Sequence, residues 1–289
     1  MIDRLTALAH QVDQQTQHAL QDFRAKQLAF FLKQGLPTRK DEAWRYTNLA
    51  DLVQHEFELS KPYEDIDSID IQPWVLGNTH RFVFVDGYFS PELSDLQHLP
   101  KEIIRLKTCP TSSSSTSLSH FAALNGALFV DGVHLEIPKN IQLNSPIHML
   151  HISTQSHTPR MQHLRHFLSV KENSDAVVFE EYVSTVPSTV VPNFVNVVTQ
   201  IDIDAGASLQ HYKLQRDHER SIHIAHTDVN QHSDSAIKMY NVTIGASLSR
   251  GDLVIHLSEK GVVWFVPVAA DTASRTSRAN SSSNRTLFE

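Results

Sequence analysis

Apolar residues at Ile2, Leu5, Leu8 and Val12, then at Leu20, Phe23, Leu28, Phe31 and Leu32, recur every three to four positions as far as Gly35. That period marks a helix with one buried stripe, so the stretch predicts one long or two short helices, with Gly35 as the C-terminal cap. A polar, acidic connector from Ser60 to Asp70 follows, and Lys61-Pro62 and Pro73 break any regular element there. From about Thr79 the period falls to two. Phe82 to Val85 ends in Asp86-Gly87 and Leu128 to Val130 ends in Asp131-Gly132, and each dipeptide favours the positive backbone torsions of a turn between strands. In Val195-Val197-Thr199-Ile201-Ile203 one face is largely apolar while Asn196, Gln200, Asp202 and Asp204 face the other way. Leu253, Ile255 and Leu257 repeat that logic, so one side of each strand is a core face.

A small-residue corner precedes a strand three times, at Asp175-Ala176, Gly206-Ala207 and Ser235-Ala236, with spacings of 31 and 29 residues. Such a period fits the coils of a parallel β-helix, with residues 176, 207 and 236 stacked along one axis. Spacing alone fits an antiparallel sandwich with recurring turns equally well.

Composition narrows the class. With 289 residues, 40% of them apolar, 9 Gly and 12 Pro, the chain can bury a sizeable core. Net charge is −7 and the longest basic cluster is Arg39-Lys40, which leaves no electrostatic footprint for nucleic acid. The first twenty residues lack an uninterrupted apolar run, and no stretch reaches the length of a membrane span, so a cytoplasmic location is expected. The single cysteine, Cys109, excludes an internal disulfide and a cluster held by several thiolates of this chain. Cys109 reads as a loop residue before a proline and a serine run.

The segment Pro37 to Leu49, PTRKDEAWRYTNL, carries a Trp-Arg-Tyr core rarely met by chance. Pro37 ends a helix, Asp41 and Glu42 suit the first turn of the next, and Trp44 and Tyr46 offer aromatic surface to bury. The segment resembles the N-terminal signature of the SufD family. Arg81 to Leu93, Ala123 to Pro146, Gln200 to Gln215 and Gly245 to Leu257 are similar to successive SufD blocks in family order. The resemblance implies a right-handed parallel β-helix preceded by a helical domain. It gives residues 1–77 as helical domain and connector, 78–266 as an incomplete β-helix core and 267–289 as a low-complexity tail. It also implies a non-catalytic scaffold of iron-sulfur cluster assembly that pairs with SufB-like and SufC-like proteins. The cluster would form transiently with the partner subunit, no cofactor being bound by this chain alone.

Metal and catalytic constellations are sparse. His148/His151, His163/His166 and His223/His226 are spaced i,i+3, which on a strand puts each pair on opposite faces and prevents joint ligation. Counted four positions on from each corner, Glu180, His211 and Tyr240 form no histidine ladder, so surface or structural histidines are expected. Arg216-Asp217-His218-Glu219-Arg220 reads as a solvated loop. There is no phosphate-binding glycine loop, GxSxG elbow or HExxH helix. Glu180, Glu181, Asp202 and Asp204, with Tyr182 and Tyr212 nearby, leave a polysaccharide-acting β-helix enzyme as the alternative, and a simple interaction module as a third. Adjacent acids on a strand otherwise mark a solvated rim. No catalytic, cofactor or metal residue is assigned. From Asp271 to Glu289, 13 of 19 residues are Ser, Thr, Asn or Arg, so no folded element is expected there. The abrupt change near Val262 suggests a frameshift or early stop, with the uncovered last coil favouring self-association and weakening SufC docking.

Overall fold

A computed structural model describes residues 2–15, 20–100, 103–106, 119–186, 191–257 and 260–270. The helical period resolves into two helices, α1 (Ile2–Gln15) and α2 (Gln21–Gln34). Leu5, Val12 and Phe31 are buried, and Gly35, at φ 69°, donates its N–H to the Phe31 carbonyl at 2.7 Å. The helix expected after Pro37 is a single 3₁₀ turn, Glu42–Trp44. Asp41 does not cap it, because its carboxylate turns back to accept from the Thr38 N–H and hydroxyl at 2.7 and 3.1 Å. After α3 (Ala50–Gln54) and β1 (Glu58–Leu59), the connector carries only two 3₁₀ turns. It buries Ile69 and Ile71 against Val83, Val85, Leu150 and Ile152, and so roofs the outer face of one sheet.

The strands follow as β2 (His80–Val85), β3 (Tyr88–Asp95), β4 (Ile104–Leu106), β5 (His134–Ile137), β6 (Ile147–Ser153), β7 (Arg160–Val170) and β8 (Asp175–Ser184). They continue as β9 (Asn193–Ile203), β10 (Ser208–Arg216), β11 (Ser221–Gln231), β12 (Ala236–Thr243), β13 (Leu248–Leu257), β14 (Val263–Phe265) and β15 (Val268–Ala270). From β5 onward the chain alternates between two sheets. One runs β13-β11-β9-β7-β5-β4 and the other β14-β12-β10-β8-β6-β2-β3, with β1 added beside β7 and β15 beside β12. Among the described residues every ladder is parallel except β2–β3 and β4–β5, and the alternation winds the chain into a parallel β-helix of about four turns. The core lies between the sheets, where Val195, Val197, Ile201 and Ile203 of β9 meet Ala176 and Val178 of β8 and Leu209 of β10.

The corners stack, but not in the register expected from spacing. Asp175 lies beside Ser208 and Ser208 beside Ala236, so Ala176, Leu209 and Ile237 share a column rather than residues 176, 207 and 236. Coils of unequal length cause the slip, which the ladder hydrogen bonds fix and a count of corners does not.

Asp86-Gly87 forms the expected hairpin turn, with φ of 49° and 89°. The second predicted turn is different. Residues leading to Asp131-Gly132 belong to α4 (His120–Leu128), whose Phe121 to Leu128 are all buried, so no amphipathic stripe announced a helix. Asn125 fixes α4 on the outer face of the β7–β9 sheet by donating to the Leu164 and Asn196 carbonyls at 2.8 and 3.0 Å. Asn196 returns a bond to the Phe121 carbonyl at 3.0 Å.

A Cβ on Gly132 would stand 1.8 Å from the Arg165 carbonyl oxygen, a backbone atom that cannot yield. Gly251 has nothing within 4 Å of the same point. Gly132→Ala should therefore cost several kcal/mol of stability, about 4 or more, while Gly251→Ala should stay within about 0.5 kcal/mol, both read from urea midpoints. Equal midpoints for the two variants would mean that Gly132 does not lie against β7.

Candidate functional site

Parallel, in-register coils set each inward residue directly beside its counterpart in the next coil. One column between the sheets runs Phe84, His151, Tyr182, from β2 to β6 to β8. His151 is sandwiched in it, stacked on Phe84 at 4.9 Å and on Tyr182 at 4.5 Å between ring centroids. In the adjoining column Glu180 lies beside Lys213. The Glu180 carboxylate faces the Lys213 ammonium at 3.3 Å and His211 Nε2 at 2.9 Å, and accepts from the Tyr182 hydroxyl at 2.5 Å. From the facing sheet His166 approaches His151 at 5.0 Å, and His223 meets the Tyr182 ring at 4.6 Å while its Nδ1 bonds Asp217 at 2.9 Å.

The ionisation states follow from burial and neighbours. Burial alone would raise the Glu180 carboxyl, but Lys213 and His211 hold it well below the usual range. Burial, and then the Glu180 charge, push the Tyr182 hydroxyl well above its ordinary value. Burial lowers His151 strongly, His166 to about 4, and His163, on the outer face, to about 3. His151 and His166, held neutral by burial, thus stand near one ionised carboxylate. The group can hold and pass hydrogen bonds; among the described residues no three His, Cys, Asp or Glu converge to hold a metal ion.

Several sequence expectations change at this point. The three histidine pairs do straddle their strands, yet His148, His151, His163, His166, His223 and His226 are all buried, so none is a surface residue. Glu180 and Glu181 do not form a solvated rim. Glu180 faces inward at 1% exposure, and Glu181 faces outward at 5%, paired with His148 at 3.0 Å and with Arg216. Glu180 and Glu181 therefore do not face each other as a carboxylate pair, while Asp202 accepts from Asn230 at 2.7 Å and Asp204 pairs with Lys171 at 3.5 Å, both partly buried. Tyr182 is interior, whereas Tyr212 lies in an outer column with Phe179 and Tyr240, each 4.8 Å away. The 216–220 knot is only partly solvated: Asp217 and His218 are buried, and Arg216, Glu219 and Arg220 are exposed. Cys109 and the 271–289 tail lie outside the described residues.

The Trp-Arg-Tyr signature divides its roles. Trp44 is buried against Phe121 at 5.1 Å, and Tyr46, expected to bury, is 67% exposed. Arg250 of β13 sits over the Trp44 ring at 3.9 Å and donates to the Ala43 carbonyl at 2.8 Å and the Thr47 hydroxyl at 3.2 Å. Asp252 steadies the guanidinium from two residues away. The segment therefore clamps the N-terminal elements onto the far end of the helix-covered sheet. Lys213 and Arg250 were missed in the sequence, because a lone cation on a strand gives no local signal of its distant partner.

The family model described as "SufBD protein N-terminal region" matches residues 2–149, and the one described as "SUF system FeS cluster assembly, SufBD core domain" matches residues 151–269. The chain belongs to the SufBD family. The two matched regions meet inside β6. An iron-sulfur cluster assembly SufBD family protein of Synechocystis is 29% identical over 78% of this chain and 54% of its own length. Iron-sulfur cluster assembly protein SufD of Escherichia coli is 27% identical over 78% of this chain and 53% of its own. Protein ABCI7, chloroplastic, of Arabidopsis is 24% identical over 84% of this chain and 53% of its own. The chain spans about half the length of these SufBD relatives.

The buried histidines make a pH prediction. A histidine whose folded pKa lies below its unfolded value favours folding fully above the unfolded pKa, and that contribution is lost as pH falls toward the folded value. For His163 and His166 the window runs from 6.5 down to about 3 and about 4. Stability should fall on acidification from pH 7 to 5, with a slope of up to about 1.4 kcal/mol per pH unit for each group. His163→Leu should flatten the slope in urea titrations; an unchanged slope would show that His163 is not buried in neutral form.

Proposed function

We propose that this chain acts as a non-catalytic scaffold subunit of SUF iron-sulfur cluster assembly, in the cytoplasm, pairing with SufB-like and SufC-like proteins. The observation that carries the reading is the family match over both halves of a folded β-helix, residues 2–149 and 151–269. The sequence adds that one cysteine cannot supply a thiolate-held cluster, so the cluster, as cargo, would take its ligands from a partner. In this role the coils supply a rigid edge and shape, and the interior Glu180–Lys213–His211 group serves to hold that shape. A polysaccharide-acting enzyme is disfavoured by the orientation of Glu180 and Glu181 on opposite faces of β8.

Co-expression with the SufB-like and SufC-like proteins of the same source, followed by affinity capture on this chain, tests the pairing. Capture of both the SufB-like and the SufC-like protein above background is expected. Neither protein above background would overturn the assignment. Anaerobic reconstitution of the isolated chain should leave no stoichiometric iron after desalting, and a stable visible chromophore lost in Cys109→Ser would contradict the ligand argument.

A further inference from the structure

Between the N-terminal elements and the outer face of the β7–β9 sheet lies a cavity of about 180 Å³. Its wall is made by Leu5, Leu36, Leu52, Leu124, Met161 and Phe194, drawn from α1, the turn after α2, α3, α4, β7 and β9. Six different elements converge here, so the space cannot close by the shift of any one side chain. It is not sealed. Val53, 55% exposed, stands at its edge, and the Arg4–Glu56 ion pair, 2.6 Å, lies beside it with side-chain exposures of 36% and 87%. His55 is also in the lining, with Nδ1 donating to the Asp51 carbonyl at 2.8 Å.

Those features state what the space can take. An apolar cavity of roughly 150 Å³ is large enough for benzene. The mouth presents a donor, Arg4, and an acceptor, Glu56. A ligand carboxylate would have to displace Glu56 and then sit beside it as a like charge, whereas a hydroxyl can accept from Arg4 and donate to Glu56 without breaking the pair. We propose that this cavity is a binding site for a small neutral amphiphile, an apolar group of about six carbons bearing a hydroxyl or amide head. The apolar end fills the space under α1 and the head lies alongside the intact Arg4–Glu56 pair. The site does not depend on the scaffold reading, since it lies on the N-terminal side of the β7–β9 sheet and uses none of the interior group.

The test is methyl NMR of the whole chain titrated with 1-hexanol, with sodium hexanoate and hexane-saturated buffer as comparison probes. Hexanol should shift the Leu5, Leu36, Leu52, Leu124 and Met161 methyls saturably and leave the Leu209 and Ile237 methyls of the coil interior unmoved. Hexanoate should bind at least tenfold more weakly. Leu36→Trp, placed at the partly exposed wall to fill the space, should abolish the shifts while keeping the dispersed spectrum of a folded chain, and Arg4→Gln should narrow the gap between hexanol and hexane. Shifts that do not saturate, that persist in folded Leu36→Trp, or that are equal for hexanol and hexanoate would overturn the proposal.

Discussion

Register is the constraint on which the molecule rests. In a parallel stack each residue has the same two neighbours above and below it for the whole life of the fold, so side chains are chosen by column rather than by strand. Apolar columns are easily filled, as Ala176, Leu209 and Ile237 show. Polar columns are demanding. A carboxylate as deeply buried as Glu180 is tolerable only because the next coil places Lys213 beside it and His211 and Tyr182 complete its bonds. One residue of slip would turn that carboxylate outward and bring an outward residue into its place.

The same rule explains how a chain with this many buried polar groups stays ordered. His151 has no hydrogen-bonding protein partner at either ring nitrogen, and it is held by stacking between Phe84 and Tyr182 instead. Outside the coils, covering elements are fixed by polar side chains that reach across to backbone: Asn125 from α4, Arg24 from α2 to the Ala127 carbonyl, and Arg250 from β13 to the signature segment. These bonds run between elements far apart in sequence. They make the helical region part of the solenoid's own structure rather than an appendage, and they link the family signature to a physical task.

Much of the fold was legible in the sequence. Periodicity gave the N-terminal helical stretch, as one long or two short helices, the Gly35 cap, the Asp86-Gly87 hairpin and the core face of β9, and the resemblance to SufD pointed to a β-helix. What was not legible had specific causes. The helix α4 is buried on every side, so it lacks the alternation that would have revealed it. The corner count misplaced Ala207 and Ala236 because the coils differ in length, and with that Lys213, the ladder neighbour of Glu180, was lost. Adjacent acids were read as solvated because burial of a charge is set by a neighbour in the next coil, here Lys213, which no local pattern marks. The exposure of Tyr46 has the same origin, since which aromatic of the signature is buried depends on where Arg250 arrives.

A stability comparison of Glu180→Gln with the double variant Glu180→Gln/Lys213→Met tests the column rule most directly. If Glu180 and Lys213 are neighbours inside the coils, the single change strands an ammonium whose side chain is only 12% exposed and should cost about 2 kcal/mol or more in urea unfolding, and removing that ammonium should recover much of the loss. Strong non-additivity, with the double variant more stable than the single, is the predicted result. Additive losses, with the double variant no better than the single, would show that the two side chains do not meet inside the coils and would contradict the register on which this account rests.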